Sequence, residues 1–240
     1  MSKTPFRHRM NTISRILIWP NLLTLILSTA SLTASEVATE GAEVGKWTMD
    51  YAAAAKLAKE KNLPMLLNFT GSDWCGWCKI MDGNVYAKPE WSEFAAKQLL
   101  LVTLDFPKDK SIVPQRLVAQ NNELKDKFGI RGYPTYIILD SDGETKIGQL
   151  GAGKEKTPAS FIGEVEGVLR FRKASIDAKV AALGKEKGAE YLAAIDAKAS
   201  TETALKDWIA TKPERNDENN KKFEEFKTGI EAAKAKVESF

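Results

Sequence analysis

The chain has 240 residues, with 35 Lys and Arg against 32 Asp and Glu, one His and two Cys, enough for one well-buried domain with an appendage or for two small domains. Residues 1–35 hold four of the basic residues and none of the acidic ones, so the rest is 31 basic against 32 acidic, and the overall basic excess is no argument for nucleic acid or anionic membranes. His8 is the single histidine; beyond it, Cys₄ and Cys₂His₂ zinc sites and Cys-His or Ser-His-Asp nucleophile pairs are excluded.

In chain order, residues 1–30 read as an export signal: Lys3, Arg7, Arg9 and Arg15 lead an apolar segment over 16–27 that ends in Ser28-Thr29-Ala30. A membrane anchor is the other reading, but twelve residues interrupted by Pro20 and Asn21 are short of the roughly twenty a bilayer needs. Membrane contact is then expected only through an uncleaved signal. Residues 31–45 read as a linker, and 46–171 as one domain. Its first strand is expected at 46–48, followed by a helix from the N-cap Asp50 to about Lys61. The central strand is 66–70, and the cysteine-bearing helix runs to about Val85. Pro89 starts another helix, and the apolar run 99–104 reads as a parallel strand covered on both faces. A polar loop over 105–111 leads to a helix at 114–128 closed by Gly129. Residues 133–139 and 144–150 flank Asp140-Ser141-Asp142-Gly143 as a hairpin, and a helix over 157–171 covers the sheet. This order predicts an α/β sandwich with a mixed sheet.

From 172 to 240 the chain is rich in Ala, Lys and Glu, with Tyr191, Leu192, Ile195, Leu205, Trp208, Ile209, Phe223, Phe226 and Ile230 at helical spacing and a break at Thr211-Lys212-Pro213-Glu214. Two or three amphipathic helices are expected, as an appendage packed on the domain or on itself, or as a partner-binding or dimerising arm.

Both cysteines lie in Ser72-Asp73-Trp74-Cys75-Gly76-Trp77-Cys78-Lys79, where the strand hands over to a helix. Two thiols separated by two residues can close a small disulfide ring, and the first faces the N–H groups of the helix end, which stabilise a thiolate. Cys75 is the expected nucleophile, titrating below the roughly 8.5 of a free thiol, and Cys78 the resolving thiol. Half of a zinc site is a competing reading of C-x-x-C, and two cysteines without histidine leave it incomplete. A purely structural bridge is another, but so short a ring removes little chain entropy, which suits a bond that is made and broken.

Trp74-Cys75-Gly76-Trp77-Cys78-Lys79 and, some fifty residues on, Gly132-Tyr133-Pro134-Thr135 resemble the thioredoxin superfamily, in the version found in bacterial envelopes; the resemblance covers about residues 47–171. It implies a thioredoxin-like three-layer sandwich in which Pro134 is cis and lies beside the disulfide, with the Tyr133 backbone pairing an extended substrate. It also implies that Trp74, Gly76 and Trp77 take part in docking, Trp77 from the surface and Trp74 as a packed shield. Ser72 and Asp73 are read as helix caps, and Lys79 as a solvated lysine or a through-space influence on a thiol. Where ordinary thioredoxins bury an aspartate below the resolving thiol, this chain has Asn68, and the accompanying lysine position falls near Thr103. A neutral pair takes no proton, so water or another carboxylate must serve.

The implied activity is thiol–disulfide exchange on protein disulfides, in the reducing direction, in the periplasm or outside the cell. The redox centre is the Cys75–Cys78 disulfide itself, with no separate cofactor and no metal, and a membrane thiol-reducing protein is the expected donor. The alternatives are a peptide- or partner-binding protein with little turnover, and an oxidase or isomerase using the same residues.

Overall fold

The computed structural model describes residues 1–2 and 37–240; the expected export signal lies outside the described residues. Strand β1, Trp47–Thr48, leads into helix α1, Tyr51–Lys61. The Asp50 carboxylate accepts the Ala53 N–H at 3.0 Å to start α1, and Asn62, in the left-handed region at φ 52°, ends it. Strand β2, Met65–Thr70, is followed by α2, Gly76–Met81, and then by a π-helical turn, Asp82–Tyr86. The regular helix expected to run to Val85 thus gives way four residues early. Gly83 and Asn84 are poor helix formers, and the Ala87 N–H bonds the Asp82 carbonyl at 2.8 Å instead of the next one along.

Helix α3, Pro89–Gln98, precedes β3, Leu100–Asp105, and α4, Gln115–Lys127. The hairpin β4, Thr135–Leu139, and β5, Lys146–Gly151, leads to α5, Pro158–Leu169, which Thr157 and Ser160 start as a reciprocal cap. The strands lie in the order β1-β3-β2-β4-β5, with β1, β3 and β2 parallel and β4 and β5 antiparallel. Successive side chains of a strand point to opposite faces, and both faces are buried. Met65, Leu67, Phe69, Leu100, Val102 and Leu104 pack under α1 and α4. Leu66, Leu101, Tyr136 and Ile138 pack under α2, the π turn, α3 and α5 with Met81, Trp91 and Phe161. This is the expected α/β sandwich.

Part of the stretch read as a linker is tied to the domain: Ala38 bridges Thr48, and Ala42 and Val44 pack against the core. Beyond α5, α6, Lys173–Ala210, reverses at Gly184, whose φ of 75° and ψ of −176° divide it into two helices, and α7, Asp217–Glu238, runs back along the second. Three helical segments result. Tyr191, Ala194 and Val237 form their buried cluster, while Leu192, Ile209 and Phe223 of the predicted apolar stripe stay exposed. A thin helical hairpin buries only one narrow face of each partner. It is anchored to the sandwich at the start of α6, where Arg172 pairs with Asp140 at 3.0 Å.

Candidate active site

Central strand β2 ends at Thr70, and a tight loop delivers the cysteines to the start of α2. The Trp74 and Cys75 N–H groups both bond the Gly71 carbonyl, at 3.2 and 2.8 Å. Cys75 is itself the N-cap of α2, with extended backbone, and its Sγ accepts the Cys78 N–H at 3.2 Å. Cys75 and Cys78 form a disulfide with their Cα atoms 5.3 Å apart. Both are covered in this oxidised state, at 5% and 2% exposure. Between them Gly76 is exposed, and a side chain built there would meet nothing within 4 Å among the described residues.

With Cys75 capping the helix, the two residues expected to do so bind elsewhere. Ser72 donates its backbone N–H and its hydroxyl to the two carboxylate oxygens of Asp105, at 2.9 and 2.5 Å. Asp73 accepts the N–H groups of Lys108 and Asp109 at 2.9 to 3.1 Å. The Asp109 N–H above all, with that of Lys108, holds the Asp73 carboxyl below its ordinary value. Together they fasten the cysteine loop to the loop after β3. Lys79 is exposed and donates to the Asp73 carbonyl at 2.8 Å.

Trp74 is anchored yet not shielded, a correction to its expected place: its Nε1 donates to the Phe106 carbonyl at 2.9 Å, and the residue remains 41% exposed. Gly71 allows this, because a Cβ there would come within 2.4 Å of the indole. Trp77 is 50% exposed. Tyr133 precedes a cis peptide bond to Pro134, and its ring meets Trp74 edge to face at 5.7 Å and Phe106 at 5.4 Å. The pairing of Thr135 with Phe69 brings this turn to the strand end that carries the cysteines. Trp74, Tyr133 and Phe106 therefore form one aromatic cluster beside the cysteine loop, and Trp77 is exposed in the first turn of α2.

Beneath α2, Asn68 is buried between Tyr136 on β4 and Thr103 on β3. The neutral pair expected from the sequence is thus in register. Among the described residues the Asn68 Oδ1 and the Tyr86 and Tyr136 hydroxyls have no hydrogen-bond partner. Burial pushes both tyrosines well above their ordinary values, with their mutual proximity adding to the effect at Tyr86. Two carboxylates at this face were not singled out by sequence. Asp105 ends an apolar strand and carries no local signal; Asp82 stands four residues after Cys78, a spacing that places it on the same helical face. Among the described residues no cluster of three or more His, Cys, Asp or Glu side chains is arranged to hold a metal.

A thioredoxin-like family model matches residues 46–141. The chain is 32% identical over 122 residues to disulfide bond reductase DsbH of Chlamydia pneumoniae, covering 51% of this chain and 72% of that protein. It is 31% identical over 140 residues to thioredoxin-related protein DsbJ of the same organism, covering 58% of this chain and 40% of that one. A solved structure named DsbH oxidoreductase is 27% identical, with a TM-score of 0.49 over 61% of this chain and 94% of that chain. With a Cys75–Cys78 disulfide at the start of a helix and a cis peptide bond before Pro134, the chain belongs to the thioredoxin superfamily of thiol–disulfide oxidoreductases.

Proposed function

We propose that this oxidoreductase works as an exported reductant of protein disulfides. The observation that carries the reading is the Cys75–Cys78 bridge at the start of α2, flanked in sequence by the exposed Trp74 and Trp77. In the dithiol form, the Cys75 thiolate attacks a substrate disulfide, forming a mixed disulfide and releasing one substrate sulfur as a thiolate. Cys78 then attacks the Cys75 sulfur, the second substrate sulfur leaves with its electron pair, and the Cys75–Cys78 bridge re-forms. Two electrons pass to the substrate, and an external dithiol must return them.

Around this centre, the backbone at Tyr133-Pro134 takes the extended substrate strand. Trp74 and Trp77 grip its apolar side chains, and Gly76 keeps the approach to the bridge clear. Asp73 and Lys79 hold the cysteine loop in shape. The reducing direction is supported by the name of the DsbH relative. Export, to a periplasm or beyond the cell, is supported by the basic lead and apolar run of residues 1–30. There the donor is a membrane thiol-reducing protein, since the compartment itself is oxidising.

Insulin reduction with dithiothreitol as donor tests the activity: the chain accelerates it and Cys75→Ser does not. Equal rates for the two proteins would end the catalytic reading and leave a peptide binder. Equilibration of the Cys75–Cys78 couple against glutathione tests direction, and a couple as oxidising as a disulfide donor would reverse it.

A further inference from the structure

We propose that Asp82 is the proton acceptor for the resolving thiol of Cys78. The inference rests on the exchange cycle above and concerns its second step. For Cys78 to attack the mixed disulfide its S–H must lose a proton, and inside a protein that proton needs a base within reach. The residue beneath α2 on the central strand is Asn68, which has no proton-accepting charge, and its neighbours across the sheet are Thr103 and Tyr136. None of the three takes a proton near neutral pH.

Asp82 stands one helical turn beyond Cys78. Its own N–H closes α2 on the Cys78 carbonyl, and side chains four apart on a helix share one face, with Cβ atoms roughly 5–6 Å apart. That face carries the buried Cys78, Met81 and Val85 against the sheet. The switch to a π turn begins at Asp82 itself, a distortion common where a helix serves a site.

Asp105 is the other carboxylate on this side, and both its oxygens are occupied by Ser72. Among the described residues Asp82 has no such partner and belongs to no ion pair. The groups around it are Asp105 from β3, Tyr136 from β4 and Tyr86 from its own turn. Helices α3 and α5 contribute the aromatic rings of Trp91 and Phe161, which pack on Tyr86. Asp82 itself is exposed at the edge of this buried face. Even so, the protein packed around its carboxyl, and then the like charge of Asp105, push that carboxyl above its ordinary value. A carboxylate so placed is a stronger base than a free one and can pass its proton to water.

The step balances as follows. The Cys78 S–H proton goes to the Asp82 carboxylate, and the Cys78 sulfur bonds the Cys75 sulfur. The Cys75–substrate bond breaks with its electron pair on the substrate sulfur, and the carboxylic acid returns the proton to that thiolate or to solvent.

Single-turnover oxidation of the reduced full chain by 5,5′-dithiobis(2-nitrobenzoate) separates the two steps, because one chromophore leaves when Cys75 is captured and the second when Cys78 resolves. In Asp82→Asn the first release is expected to keep its rate, while the second slows roughly ten- to a hundredfold at pH 6–7. It recovers as pH passes about 8.5, where a thiol ionises unaided. Asp82→Glu, and Asn68→Asp added to Asp82→Asn, are expected to restore the neutral-pH rate, which a merely structural role for Asp82 does not predict. A second release whose pH profile is the same in wild type and Asp82→Asn overturns the proposal. A wild-type chain that releases no chromophore through Cys75 overturns the exchange cycle first, and the proton acceptor with it.

Discussion

The indole of Trp74 meets the ring of Tyr133 edge to face at 5.7 Å. That contact joins the loop before the cysteines to the residue before the cis-proline, and it depends on Gly71, over which the indole lies. Gly71→Ala is therefore expected to displace the ring and break its bond to the Phe106 carbonyl. The predicted result is a several-fold loss in kcat/KM for protein disulfides that Trp74→Phe reproduces, with a stability cost of about 1–3 kcal/mol in the alanine variant from crowding. Steady-state insulin reduction and urea titration measure the two. An alanine variant with wild-type kinetics would show that the Trp74 position is immaterial to docking.

Among the described residues Trp77 makes no aromatic pair, and it is half-exposed. Its truncation to Ala should change stability by no more than about 0.5 kcal/mol. It should still raise KM for a protein disulfide by a factor of several while leaving a small aromatic disulfide unaffected. Comparing the two substrates on one preparation decides it, since a loss shared by both would place Trp77 in the chemistry instead.

Cys78→Ser stops the cycle at the mixed disulfide. Non-reducing gels of cells expressing it should show covalent adducts that dithiothreitol dissolves and that Cys75→Ser, Cys78→Ser lacks. Adducts that persist in the double variant would discount Cys75 as the attacking sulfur.

Asp140 ties the hairpin to the helical extension through Arg172, with both side chains 12% exposed. Burial would raise its carboxyl, but hydrogen bonds from the Ser141 N–H, Arg172 and the Lys173 N–H outweigh that and hold it below 3.8. A carboxyl depressed in the folded state adds stability above its unfolded value and loses it as pH falls through the folded value. Asp140→Asn should then cost roughly 2 kcal/mol at pH 7, and the gap from wild type should narrow as acid protonates the Asp140 carboxyl. Chemical denaturation across pH 2–7 checks this; a gap constant down to pH 2 would contradict it.

The sandwich was legible because its signals are local. The apolar runs at Leu66–Leu67 and Leu99–Leu104, the Asp50 cap and the glycine in the hairpin turn each reflect a backbone preference or a face to be covered, which neighbours in sequence determine. Asn68 opposite Thr103 was legible only through the resemblance, which aligns the two positions with the family's acid and lysine; the observed register pairs them. The uses of Ser72 and Asp73 were not legible, since a polar residue before a helix reads as a cap whether or not a distant loop offers it better partners.

What the sequence determined by itself is the pairing of two thiols at the mouth of a helix and the two-sided strands that carry them, because both rest on spacing and periodicity. Only the tertiary structure decided which groups surround those thiols. Asp105 reaches Ser72 and Phe106 reaches Trp74, because strands remote in sequence end at the same edge of the sheet. Electrostatics and hydrogen bonding act across space, so the proton chemistry of the site is set where the chain comes together and not along its length.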